Sequence, residues 1–284
     1  MLAVVVSNPL AWSRSEVASV VVCHSTSCPS SFTVFSANGL VEIPSQTVVD
    51  VVRNVTVLYF FAEVGPLGME TYFIQRAGRA QQSRARPRDL ARGPTNISNG
   101  YVLIEMNENG QPTYWTDLKT GLRTAWRVDL LHYTERLPPP SGNIFLGGNV
   151  YTFVPDGASP SSLFDRASRV ILTADGPLVW QIDVVLNTDV CTGSCFHTLR
   201  LTTPGSGDPL SSSLVYLQPL LGPLQYHPSY SGSISMRVST DIASGATFTT
   251  DMNHHLRYQR TFNLSAGLQG NMYPIVGGIG LTGL

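Results

Sequence analysis

The sequence predicts an all-β protein of sandwich architecture. Three observations predict it. Runs rich in β-branched and aromatic residues recur along the chain, and clusters of turn formers separate them at ~10-residue spacing. An Asn-Gly and an Asp-Gly pair each sit between two such runs, where a tight hairpin needs residues that accept positive φ. Strong helix formers are scarce, and lysine nearly disappears.

The first group of strands is predicted at "SVVVC", "FTVFSA" and "VTVLYFFAEV", divided by the turn formers "CPSS" and "SANG". "METYFIQ" closes the group near residue 75. The composition then changes. "RAGRAQQSRARPRDLARG" holds Arg76, Arg79, Arg84, Arg86, Arg88 and Arg92 with almost no large apolar side chain. A polyanion-binding arm would interleave aromatic residues to stack on bases, and none is present. The segment therefore reads as a linker, over 81–94, between a small β-sandwich at 1–80 and a larger β region at 95–284.

Two hairpins open the larger region. "YVLIEM-NENG-QPTYWTDL" turns at Asn109-Gly110, and "RVILTA-DG-PLVWQIDVVL" turns at Asp175-Gly176. Further strands are expected at "FHTLRLTT", "SLVYLQPLL", "SISMRVST" and "GATFTT". Only "SSLFDRAS" and "WRVDLLHY" carry helix-like spacing, and no internal repeat is visible.

Composition narrows the function. The 284 residues hold 43% hydrophobic side chains, enough for a sizeable core, and the formal net charge of −1 recruits neither nucleic acid nor an anionic membrane. No apolar run reaches the ~18 residues that span a bilayer. The start, "MLAVVVSNPLAW", lacks the basic segment of a signal peptide. Three acceptor sequons begin at Asn54, Asn96 and Asn263; as glycosylation sites they point to a secretory or lysosomal history. Cys23 and Cys28 are spaced C-x4-C, and Cys191 and Cys195 C-x3-C, neither being zinc-ribbon spacing. Two local disulfides fit an oxidising compartment, with a mixed Cys/His site using His24 and His197 as the alternative.

For chemistry, the densest stretch is "TTDMNHHLRYQRTFN", which packs Asp251, His254, His255, Arg257 and Arg260 together. On a strand the two adjacent imidazoles point to opposite faces and cannot share a metal ion. Asp251 as a general acid would require a second carboxylate across a cleft, and no spacing identifies one. Phosphate loops, nucleophile elbows and zinc-protease motifs are all missing from the sequence. The residues by themselves show no catalytic centre.

A family resemblance adds to this. "VSTDIASGATFTTDMN", followed by "RYQR" and "NMYP", resembles the C-terminal β region of the alpha-mannosidases of glycoside hydrolase family 38. Thr240, Ile242, Ser244, Phe248, Thr250, Asp251, Asn253, Arg260, Asn271, Tyr273 and Pro274 fall in step with that family's pattern. "NVYTFVPDG" matches another family segment through Tyr151, Phe153, Pro155 and Gly157. "NGYVLIEMNENGQPTYWTDLKTG" resembles the strand–turn–strand that opens the family's large β domain, and "SNPLAW" the stretch that leaves its helical bundle. The lysosomal and epididymis-type branch is the most similar.

The resemblance implies that 95–284 is part of a supersandwich of the galactose-mutarotase-like kind. It implies a retaining, zinc-dependent enzyme acting on mannose of N-glycans, lysosomal or secreted. It also implies that the zinc ligands and catalytic aspartates belong to an N-terminal catalytic domain upstream of the matched part. This chain then holds no catalytic residue and no metal ligand, and its partners are that missing domain and a mannose-containing oligosaccharide. By family position, Tyr151 and Arg260 contact substrate. A core aromatic role for Tyr151 and an ion pair of Arg260 with Asp251 are the structural alternatives. Two departures flank these positions: His254 replaces a family glycine, and Gly148-Asn149-Val150 replaces a Ser-Gly-Ala. The competing expectations for the whole chain are a non-catalytic carbohydrate-binding or structural β protein, or a truncated gene product.

Overall fold

The computed structural model describes residues 1–26, 31–39, 41–76, 87–90, 95–135, 155–157, 159–191, 195–205, 213–223, 232–252, 256–266 and 269–281. Among them the chain is almost wholly antiparallel β-structure, broken by single-turn 3-10 helices.

The first sandwich comprises β1 (Leu2–Ser7), β2 (Arg14–Cys23), β3 (Phe32–Phe35), β4 (Glu42–Ile43), β5 (Ser45–Asp50), β6 (Val55–Val64) and β7 (Met69–Arg76). One sheet runs β1-β7-β3-β4 and the other β2-β6-β5. The unbroken apolar run of β6 has a physical reason. Leu58, Phe60 and Ala62 point into the first core with Val34, Tyr72 and Ile74. Val57 and Tyr59 point the other way and pack with Val48 on Ala174, Leu178 and Val179 of the second sandwich. A strand covered on both faces has no polar side to present. Phe60 is fully buried, so Phe60→Ala should cost about 3–5 kcal/mol. The "SNPLAW" segment after β1 is tied down by buried Asn8, whose Nδ2 donates to the carbonyls of Trp12 at 2.6 Å and Gly65 at 2.9 Å.

The second sandwich comprises β8 (Arg88–Leu90), β9 (Thr95–Ser98), β10 (Val102–Met106), β11 (Pro112–Asp117), β12 (Arg123–Thr134), β13 (Ser161–Ser162), β14 (Ala167–Asp175), β15 (Val179–Leu186), β16 (Cys195–Thr202), β17 (Tyr216–Leu220) and β18 (Gly232–Thr240). One sheet runs β13-β12-β11-β10-β9 with β18 also paired to β12, and the other runs β17-β16-β15-β14-β8. Val102, Ile104, Leu130, Ile182, Leu199 and Leu201 form the centre of their shared core. Both hairpins turn where expected. Gly110 has φ +72°, and a Cβ there would lie 2.6 Å from Val184, so the turn closes directly onto the core.

Three segments differ from expectation. "WRVDLLHY" lies within strand β12, with Val128 and Leu130 buried in alternation toward the core. "SSLFDRAS" is the short β13 followed by one 3-10 turn, Phe164–Arg166, which inserts Phe164 into the core. Within the Arg-rich segment, Arg88–Leu90 forms β8 on the edge of β14, where Asp89 pairs with Arg169 at 2.9 Å.

The two sandwiches meet through a buried polar network. Gln46 clips onto β15, accepting from the backbone N–H groups of Leu178 and Val179 at 2.9 and 2.8 Å and donating to the Val179 carbonyl at 3.2 Å. Arg53 bridges the halves. It donates to Asp50 at 2.6 Å within its own sandwich, and to Thr198 at 2.7 Å and Asp183 at 3.5 Å across the interface. Its guanidinium lies 4.5 Å from the Phe196 ring. Asp183, fully buried, also accepts from Thr173, Thr198 and Gln181. Every oxygen of this inner carboxylate is therefore engaged, which is the condition under which a buried charge is tolerated.

Cys191 and Cys195 are joined in a disulfide between β15 and β16. Cys23 is also disulfide-bonded, while Cys28 lies outside the described residues. His197, on the core side of β16, sits edge-on to Phe164 at 5.5 Å, with both ring nitrogens lacking a partner among the described residues. Burial pushes its pKa down to about 4. Among the described residues no mixed Cys/His site forms around His197: the disulfide occupies Cys195, and the core encloses the imidazole.

Candidate functional site

The chain continues into a three-stranded sheet, β20-β19-β21, made of β19 (Thr247–Met252), β20 (Leu256–Thr261) and β21 (Ile279–Gly280). The antiparallel register pairs Phe248 with Arg260, Thr250 with Tyr258 and Asp251 with Arg257. Side chains of paired residues share a face and alternate along each strand. One face therefore carries Phe248, Thr250, Tyr258 and Arg260, and the opposite face Asp251 and Arg257.

Arg260 is the centre of the first face. Its Nε donates to the buried Thr250 hydroxyl at 3.1 Å. Its guanidinium lies 4.9 Å from the ring of Tyr273 and 5.2 Å from that of Tyr258. Tyr273 in turn stands edge-on to Phe248 at 5.6 Å. The loop that delivers Tyr273 is clamped by Asn271, whose side chain accepts from the Asn263 N–H and donates to its carbonyl, both at 2.8 Å. Among the described residues the two terminal nitrogens of Arg260 make no hydrogen bond. A planar cation gripped by rings through its faces keeps its edge donors free for an outside acceptor.

Asp251 does something else. Its carboxylate accepts from the backbone N–H groups of Val276, Gly277 and Gly278 at 2.8 to 3.1 Å. It pins the segment that leads into β21. Sitting on the other face, it is not the ion-pair partner of Arg260. Its lone pairs are taken up by backbone donors, so it is an anchor and not a general acid.

Phe248, Thr250, Arg260, Asn271 and Tyr273, scattered over 26 positions of sequence, thus converge on one small sheet. Tyr258 belongs to the cluster but escaped the sequence reading. Its signal was the two-residue spacing from Arg260, which puts both on one strand face. Tyr151, His254 and His255 lie outside the described residues. The three sequon asparagines, Asn54, Asn96 and Asn263, are all exposed.

No family model matches the chain. It is 23% identical over 301 aligned positions to an alpha-mannosidase of Canavalia ensiformis, covering 96% of this chain and 29% of that protein. The chain is distantly similar to plant alpha-mannosidases. With one from Arabidopsis thaliana it shares 25% identity over 309 positions, covering 98% of this chain and 28% of the relative. It spans less than a third of the length of the relatives it matches.

Proposed function

We propose that this chain is the C-terminal β portion of a retaining, zinc-dependent alpha-mannosidase of glycoside hydrolase family 38. It supplies the scaffold and a substrate-side contact for an enzyme that removes terminal mannose from N-glycans in a lysosome or outside the cell. The observation that carries the reading is the Arg260 cluster. Residues matched to the family by sequence alone form a ring-clamped guanidinium with unused donors, which suits the vicinal hydroxyls of a sugar. Tyr151 is the second contact in this reading, and glycans on Asn54, Asn96 and Asn263 accompany it.

Among the described residues no group of three His, Cys, Asp or Glu side chains is placed to hold zinc. In this reading the metal and the two carboxylates of the reaction belong to a catalytic domain upstream. The boundaries that go with this reading are a sandwich at 1–80 and part of the supersandwich from 95 onward.

The test uses purified chain and an aryl alpha-mannoside. No turnover is expected, with or without added zinc, and activity is expected once an upstream catalytic domain is restored. Zinc-dependent turnover by residues 1–284 alone, abolished by a substitution within them, refutes the proposal.

A further inference from the structure

We propose, building on Arg260 as the substrate contact of the reading above, that Tyr273 is its positioning residue. The ring of Tyr273 sets the direction in which Arg260 presents its two unused terminal nitrogens to a sugar. Sheet geometry alone brings the other neighbours to this guanidinium. Tyr258 stands two residues earlier on β20, opposite Thr250, and Phe248 is directly opposite Arg260. Tyr273 belongs to none of the three strands and reaches Arg260 from the segment between β20 and β21.

Two observations separate this contact from ordinary packing. That segment carries its own fastening. Asn271 accepts from the Asn263 N–H and donates to the Asn263 carbonyl, both at 2.8 Å, so the chain is pinched closed two residues before Tyr273. And the working part delivered is a ring, since Tyr273 is only half-buried and its hydroxyl approaches the Thr261 carbonyl at no less than 3.5 Å. The ring lies 5.6 Å from that of Phe248 at an angle of 66°, and 4.9 Å from the Arg260 guanidinium. The tilted contact with Phe248 fixes the ring plane, and the ring plane fixes where a cation rests. The hydrogen bond to Thr250 ties Arg260 at Nε alone, leaving the head of a rotamer-rich side chain to turn about that point. The Tyr273 ring removes this freedom, so the donors need no ordering when substrate binds.

The test uses the longer enzyme for kinetics and residues 1–284 for spectroscopy. Tyr273→Leu should lower kcat/KM roughly tenfold, and Tyr273→Phe, which restores the ring, should recover most of that loss. In an Arg260→Ala background Tyr273→Leu should change kcat/KM by no more than about twofold, because a residue that acts through Arg260 then has nothing to act on. In residues 1–284 the Arg260 Nε proton, assigned in nitrogen-15 NMR by its loss in Arg260→Lys, should exchange with water roughly tenfold faster in Tyr273→Leu. Tyr273→Phe should restore slow exchange. The proposal is overturned if Tyr273→Leu leaves either kcat/KM or the exchange rate unmoved. A loss that Tyr273→Phe does not recover makes the hydroxyl the working part, and a loss that persists in full without Arg260 makes Tyr273 a direct contact; both overturn it too. An enzyme indifferent to Arg260→Ala fails differently: it removes the substrate contact beneath the proposal, whatever Tyr273 does to the Nε proton.

Discussion

Two arginines in this molecule are each stacked against aromatic rings, and they do opposite things. Arg53 lies 4.5 Å from Phe196 and spends its donors on Asp50, Asp183 and Thr198. Arg260 lies 4.9 Å from Tyr273 and, among the described residues, spends only its Nε, on Thr250. The first is closed in the seam between two sandwiches. The second sits on a three-stranded sheet whose β20 is largely exposed. The ring contact is common to both, so the ring is not what distinguishes structure from recognition. What distinguishes them is whether the edge of the guanidinium is already satisfied within the chain.

The largest expected effect follows from the seam. Arg53→Ala leaves Asp50 and Asp183 buried without their shared cation, and removing one partner of a buried pair costs about 3–5 kcal/mol. Urea unfolding should show this as a lower midpoint, in one transition reported alike by probes in both sandwiches. An Arg53→Ala protein as stable as the parent means that the seam is wet and the contrast with Arg260 is void.

The next effect separates the two faces of β16. Thr198 on the seam side is fully engaged, whereas His197 on the core side has no partner for either nitrogen among the described residues. With its pKa pushed down to about 4 in the fold, the imidazole stays neutral there while the unfolded chain takes up a proton below pH ~6.5. Unfolded protein thus binds more protons between those values, and stability falls as pH drops from 6.5 toward 4. At pH 4.5 to 5 the loss should reach about 2–3 kcal/mol. Comparing urea midpoints of parent and His197→Phe at pH 7 and pH 5 isolates this share from carboxylate titration. Equal pH slopes for the two proteins rule it out.

How far the sequence makes these regions legible depends on whether a signal is local. The doubly covered β6 was readable from its unbroken run, and the hairpins from Asn109-Gly110 and Asp175-Gly176, because turn chemistry and burial act within a few residues. β8 was not readable. Arg-Asp-Leu has no strand pattern, and it is held by pairing with Val170–Leu172 some eighty positions away. "WRVDLLHY" tempts a helix through Leu130-Leu131, yet the alternation of Val128 and Leu130 decides for a strand once β18 pairs beside it. In the candidate site, density of charge drew attention to Arg260 and Asp251 alike. Only the register shows that they lie on opposite faces, and only the Asn271 clamp explains how Tyr273 comes back over Arg260.

The third effect concerns function and needs the longer enzyme of the proposal. Arg260→Ala should remove a charge-assisted hydrogen bond worth about 1.5–3 kcal/mol, a roughly ten- to hundred-fold loss in kcat/KM. The melting curve should barely move, since β20 retains its pairing with β19. Arg260→Lys should recover part of the loss, because an ammonium cannot present a planar fork. An Arg260→Ala enzyme that unfolds early but keeps its activity would move this arginine into the same class as Arg53.

The smallest effect is the control that fixes the face. Arg257 is three residues from Arg260 on the same strand, an odd spacing that turns it to the opposite side beside Asp251. Asp251 is already held by the N–H groups of Val276, Gly277 and Gly278, so an exposed arginine adds little to it. Arg257→Ala should therefore shift stability by no more than about 0.5 kcal/mol and leave kcat/KM near the parent value. The pair of arginines shares a strand and a charge, and the pleat turns them to opposite faces, leaving Arg257 exposed and Arg260 half-buried. If Arg257→Ala disables the enzyme while Arg260→Ala leaves it active, substrate meets the Asp251 face, and the ring-clamped guanidinium is a structural feature of the sheet.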